Sequence, residues 1–162
     1  MPEFVPIATG SARLLLDDTE THVIRQLTTE LRELLDGGRI DRGDPVYERL
    51  FPSVYEDVKD EAAYRDLVGD DLVTFKLEAL DKIATELGYG GNGSDIVLEG
   101  DTLDIWLACL TDLRLAIGVR LDVDEERMGA DVDPNDPDAR SLAVLHWLGW
   151  IQEGVIRAAS EL

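Results

Sequence analysis

Two stretches of this chain are apolar on nearly every side of a helix, and a fold that contains them must bury both. The first includes LACLTDLRLAIGVRLDV, Leu107 to Val123, within a helix that the pattern places at about Leu103 to Leu121. The second is LAVLHWLGWIQEGVIRA, Leu142 to Ala158. A helix that is hydrophobic all round belongs at the centre of a domain. Stepping about 100° per residue puts Leu103, Trp106, Leu107, Leu110, Leu113, Ile117 and Leu121 on one arc. Arg114 falls inside that arc. Ala108, Leu115 and Val119 form the other side, with Asp112 among them. An unpaired buried charge costs several kcal/mol, so Arg114 needs a partner. The last helix is polar only along a strip of His146, Glu153 and Arg157. The expected partner is therefore Glu153, with Gly149 and Gly154 letting a second helix approach. A structural ion pair that fixes helix register is the leading reading of Arg114 and Glu153. A carboxylate clamp or acid–base site is its rival, with Asp112, Arg120 and His146 as further polar candidates.

The rest of the chain supplies the layers around these helices. Phe4–Ile7 and Ala12–Leu16 flank Thr9-Gly10-Ser11 and read as a β-hairpin. Asp18 or Thr19 is the expected cap of a helix whose stripe is Val23, Ile24, Leu27, Leu31, Leu34 and Leu35, with Gly37-Gly38 as its stop. Asp44-Pro45 opens a short helix that ends before Pro52. A long helix spans Asp60 to Leu87, with Val68, Leu72, Phe75, Ala79, Ile83 and Leu87 expected inside and a break or kink expected at Gly69. Gly88 to Gly93 forms a loop, and Ile96-Val97-Leu98 offers a third short strand. Asp101 or Thr102 is the expected cap of the first apolar helix. The polar segment Asp122 to Asp138 leads to Asp136, the expected cap of the last helix, which runs from about Asp138 to Ala159. The fold class is mainly α: one domain over 1–162, a multi-helix bundle with a small N-terminal antiparallel hairpin.

Charge removes several functions. Thirty-five acids face fifteen bases in 162 residues, a net charge of −20. Nucleic-acid binding needs a basic footprint, and none is visible. Such acidity repels nucleic acid and anionic membranes and favours basic partners. A single cysteine, Cys109, excludes an internal disulfide. The start MPEFVPIATG lacks a basic region followed by a long apolar run, so no signal peptide is indicated. No uncharged stretch approaches membrane-spanning length. A cytoplasmic protein is expected.

Tested against known chemistry, most motifs fail. Gly88 to Gly93 matches G-x-G-x-x-G but follows a helix and precedes a strand, the reverse of the dinucleotide context. Asp131 to Asn135 resembles the start of a calcium loop. Its sixth position is Asp136 instead of Gly, and its twelfth is Leu142 instead of Glu. Two histidines, His22 and His146, far apart, with one cysteine, argue against zinc. No cofactor or metal is expected. Cys109 lies beside Arg120 on the wheel. It reads first as a small buried hydrophobe, and second as a redox-active thiol whose pKa that arginine lowers.

Three segments carry a resemblance over nearly the whole chain. Asp112-Leu113-Arg114-Leu115-Ala116-Ile117-Gly118-Val119-Arg120-Leu121 resembles N-D-L-R-L-x-L-G-x-R-L, with Thr111 in place of Asn and Trp106 upstream. His146 to Glu153 resembles x-W-L-G-x-L-Q-E. Leu50-Phe51-Pro52 with Tyr55 matches L-x-P-x-x-Y. These are the motifs of an actinobacterial family long called a domain of unknown function and now associated with AosR, an oxidative-stress transcriptional regulator. The resemblance implies a cytoplasmic, mainly helical regulator. It also implies oxidation sensing through cysteines and action on transcription through a protein partner, a stress sigma factor. The chain departs from that pattern in having Cys109 alone, so sensing would require an intermolecular disulfide or a sulfenic acid. The resulting expectation is a non-enzymatic regulator that binds another protein. One alternative, implied by the family's gene neighbourhood, is an adaptor or modulator of Clp-type proteolysis. A second is an enzyme or small-molecule binder using Arg114, Asp112 and Glu153. Trp147, Trp150 and Ile151 offer a face for a homodimer.

Overall fold

A computed structural model describes residues 1–36, 43–88, 91–121 and 133–160. Within them lie three strands and five helices. These are β1 (Glu3–Ala8), β2 (Ser11–Leu16), α1 (Asp18–Leu35), α2 (Pro45–Leu50), α3 (Val58–Leu87), β3 (Ser94–Glu99), α4 (Gly100–Arg120) and α5 (Ala139–Ser160). The expected hairpin forms, with Gly10 taking the left-handed conformation (φ 84°) that its turn requires. The third strand also forms, and it pairs with β2. The sheet order is therefore β1-β2-β3, antiparallel throughout. Ala12, Leu14 and Leu16 of β2 are buried in alternation, as are Ser94, Ile96 and Leu98 of β3. That period of two turns one face of the sheet onto the helices. β1 and β2 rest chiefly on α5, and β3 on α4 and α3.

The two apolar helices sit where their composition requires. Trp106, Leu110 and Leu113 of α4, and Leu148, Ile151 and Val155 of α5, join Leu14, Ile83 and Leu98 in one core. The indole of Trp106, 1% exposed, donates from Nε1 to Glu86 at 2.7 Å. Buried Ser94 donates to the Leu87 carbonyl (2.8 Å) and shares a hydrogen bond with Thr21 (2.9 Å), fastening β3 to α1 and α3.

Several boundaries differ from expectation. Asp17, not Asp18 or Thr19, caps α1 through a capping box with Glu20: the Asp17 side chain accepts from the Glu20 amide at 2.8 Å, and Glu20 accepts from the Asp17 amide at 2.9 Å. α3 starts at Val58, two residues before the expected Asp60, with Asp57 as its cap accepting from the amides of Lys59 and Asp60. α4 starts at Gly100, directly after β3, with no side-chain cap from Asp101 or Thr102. Asp44 and Pro45 open α2 as expected. The Asp136 carboxylate accepts from the Asp138 amide at 2.8 Å, in the turn that leads into α5. Gly69 is buried in an unbroken α3. Of the expected inner face of α3, Ile83 and Leu87 are buried and Leu72 packs on the core, but Phe75 is 71% exposed, and Arg65, Gly69 and Leu80 are buried as well. Around Phe75 the inner positions are taken by Arg65 and Lys76, which reach polar partners at Phe51, Pro52 and Asp112. Gly37-Gly38, Tyr89-Gly90 and the segment 122–132, which includes Asp131 and Val132 of the calcium-loop match, lie outside the described residues.

Candidate functional site

The charged groups of the α4 region separate into two clusters. Asp112 accepts from Lys76 Nζ at 2.8 Å, and both side chains are largely covered. Lys76 reaches it from α3, with its ammonium 5.5 Å from the centre of the Phe51 ring. Burial raises the Asp112 pKa, an effect that the hydrogen bond from Lys76 offsets in part. Cys109 lies one turn earlier on the same side and is buried. Burial, with a smaller push from the Asp112 charge, raises its thiol pKa to about 12. Arg120 is exposed and is not among the causes of that shift. The reading of Cys109 as a thiol activated by Arg120 is therefore corrected. A wheel places residues by angle alone, whereas the tertiary contacts put a lysine and a carboxylate beside the sulfur.

The second cluster joins α4 to α5. Arg114 Nη1 donates to Gln152 Oε1 at 3.0 Å. Gln152 Nε2 donates in turn to Thr111 Oγ1 (2.7 Å) and to the Leu107 carbonyl (3.2 Å). The expected Arg114–Glu153 pair does not form. Glu153 is exposed one residue further along α5, about 100° around the helix. It lines a shallow pocket of about 280 Å³ with Phe4, Trp150, Gly154 and Arg157. A neutral amide meets Arg114 instead, and Arg114 Nε is buried with no hydrogen-bond partner. The Arg114 guanidinium lies against Gly149, where an added Cβ would come within 3.3 Å of it. Gly154 faces the Phe4 ring of β1, so it admits a strand side chain and not another helix. His146 Nε2 is likewise buried without a partner.

These side chains do not assemble into one reactive centre. Asp112 is held by Lys76, Arg114 by Gln152, and Glu153 points elsewhere. Among the described residues no three His, Cys, Asp or Glu side chains converge as metal ligands. Asp133 accepts from the Asn135 amide at 2.9 Å and serves a turn. Ile151 is fully buried, and Trp150 packs edge-on against Phe4 with ring centroids 5.3 Å apart. Of the face named for a dimer, Ile151 is covered within the chain, whereas Trp147 is half-buried and Trp150 is 41% exposed. Among the described residues no helix is long and apolar enough to cross a membrane.

Two structural devices escaped the sequence. The L-x-P-x-x-Y stretch, Leu50 to Tyr55, is bound to α3 by Arg65 and Glu61. Arg65 donates to the carbonyls of Phe51 (2.5 Å) and Pro52 (2.8 Å) and to Glu61 Oε1 (2.8 Å). Glu61 Oε2 accepts from the amides of Val54 (2.9 Å) and Tyr55 (2.8 Å). The i,i+4 spacing of Glu61 and Arg65 was the available signal, but it is common on exposed helices. The other device is an open groove of about 450 Å³ between α1 and α4. Leu27, Leu31, Leu34, Leu113, Ala116 and Ile117 form its floor, and Glu30, Glu33 and Arg120 its rim.

With fold and geometry described, the chain can be placed among known proteins. It belongs to the family described as a domain of unknown function, DUF2017, which matches residues 1–159. It is similar to the oxidative stress regulator AosR of Mycobacterium tuberculosis H37Rv and of Mycobacterium bovis. The identity to each is 28% over 156 residues, covering 88% of this chain and 70% of the relative. No solved structure matches it significantly.

Proposed function

We propose that this protein is a non-enzymatic regulator of the oxidative-stress response that acts by binding a protein of the transcription machinery, specifically a stress sigma factor. The observation that carries this reading is the similarity, over 88% of the chain, to proteins named oxidative stress regulators. Charge supports the mode of action. At −20 the chain repels nucleic acid and attracts the basic surfaces that sigma factors and polymerase use on DNA. The polar clusters of α4 support the non-enzymatic part: each joins two helices, and the thiol beside Asp112 is buried and held protonated.

Cys109 is a core residue in this reading and not the sensor. Peroxide attacks thiolates, and a thiol whose pKa is raised to about 12 holds almost none at neutral pH. The test is a calorimetric titration with the host's stress sigma factor, in reducing buffer and again after peroxide. The expected result is equal binding in both, with Cys109→Ser binding like the native chain. Absence of binding in both buffers overturns the sigma-factor reading. Binding that depends on peroxide, and loses that dependence in Cys109→Ser, overturns the assignment of an inert thiol.

A further inference from the structure

We infer that the groove between α1 and α4 is the docking site for a basic amphipathic helix of a partner protein, an inference that rests on the partner-binding reading above. α1 packs chiefly on α3, whereas α4 packs chiefly on α2 and α5, so the two helices touch little and leave a trough. Leu27, Leu31 and Leu34 follow helical spacing along one wall, and Leu113, Ala116 and Ile117 along the other. Leu31 and Leu113 close the bottom, while the other four remain half-buried. Two facing apolar stripes offer the ridges and grooves that a third helix fills. Among the described residues, no polar side chain lies on the floor to orient a small molecule, which pockets for such ligands normally supply.

The rim selects the sign of the occupant. Glu30 and Glu33 are exposed along the α1 edge, and Arg120 is exposed where α4 ends. A helix with Lys or Arg on the flank facing α1, and a carboxylate toward Arg120, meets complementary charge along its length. A second copy of this chain is a poorer occupant, because each copy brings a charge of −20 to the contact.

The probe is a labelled synthetic peptide with Leu and Lys at helical spacing, beside a counterpart with Glu for Lys, titrated into the full chain at physiological salt. Binding is read by fluorescence anisotropy and mapped by methyl resonances. The Lys peptide should bind and shift Leu27, Leu34, Ala116 and Ile117, and the Glu peptide should not bind. Glu30→Lys with Glu33→Lys should raise Kd about tenfold or more. Asp70→Lys with Asp71→Lys, the same charge change on an exposed stretch of α3, should raise it less than about threefold. Ala116→Trp, which fills the trough and leaves the rim charges alone, should abolish binding while keeping a cooperative melt.

Shifts centred elsewhere, or equal loss from both lysine pairs, overturn the proposal. A dimer in sedimentation that Ala116→Trp dissociates makes a second copy the occupant and also overturns it. The sigma-factor titration separates the two readings. If the sigma factor binds the native chain and the Glu30→Lys, Glu33→Lys variant alike, the groove fails and the partner reading stands. If it does not bind while the peptide maps to the groove, the sigma-factor reading fails and the groove stands.

Discussion

Cys109 is 4% exposed, with Asp112 one turn away, and both burial and that charge disfavour its thiolate. The folded thiol pKa is about 12 against an ordinary value of 9.0. The folded state therefore holds this proton more tightly than the unfolded chain. Stability from this group is complete below pH 9.0 and is lost as pH rises toward 12. We expect the native chain to resist a thiol-reactive dye until it unfolds, and Cys109→Ala to lack that component of the alkaline loss. Rapid labelling of the folded protein would refute this. Asp112 behaves in the same sense at acid pH. Its folded pKa is raised, so its ionisation costs stability, and Lys76 recovers only part of that cost. Lys76→Met leaves the carboxylate without its partner and should lose about 2–4 kcal/mol in denaturant unfolding. Adding Asp112→Leu should restore most of the loss. Equal stability of Lys76→Met and the native chain would show that water already solvates Asp112.

Among the elements, the β3 region depends most on one small residue. Gly93 lies directly against the Leu16 carbonyl and the Asp17 backbone, so an added Cβ has nowhere to go. Unlike the Phe4 ring against Gly154, a backbone carbonyl cannot rotate aside. We expect Gly93→Ala to cost about 2–3 kcal/mol, read as a lower Tm, and an unchanged Tm would disprove the contact. Element types were largely legible from the chain because periodicity is strong. Short apolar runs marked the strands, and helical spacing marked α1, α4 and α5. Boundaries and phase were less legible. Asp17 took the α1 cap from Asp18, a neighbour of equal intrinsic ability, and α3 began two residues before Asp60. Phe75 read as core by its hydrophobicity. It lies outside because α3 turns Arg65 toward the Phe51 and Pro52 carbonyls and Lys76 toward Asp112.

For the whole molecule, acidity outweighs the few exposed ion pairs. Arg32 bridges Asp81 at 2.6 Å and Asp36 at 3.1 Å, holding the Asp81 carboxyl below its usual pKa, but these contacts lie at the surface and are weak. Repulsion among the remaining acids at −20 is longer in range and is screened by salt. We expect Tm at pH 7 to rise by several degrees between 20 mM and 0.5 M sodium chloride, since about 1 kcal/mol moves Tm by roughly 2–4 °C at this size. A falling Tm would mean that the surface ion pairs dominate instead.

The chain by itself determined the two central helices, the hairpin and third strand, and the absence of a basic nucleic-acid footprint. Each of these follows from local periodicity or from summed charge, which need no knowledge of neighbours. Tertiary structure alone decided the partners of the buried charges. Arg114 met Gln152 in place of Glu153, Asp112 met Lys76, and Cys109 came to lie beside a carboxylate instead of an arginine. Those pairings depend on the rotation and offset of helices far apart in sequence, where one residue of phase, about 100°, exchanges one side chain for the next. The trough between α1 and α4 belongs to the same class, because it arises from where two helices touch only a little.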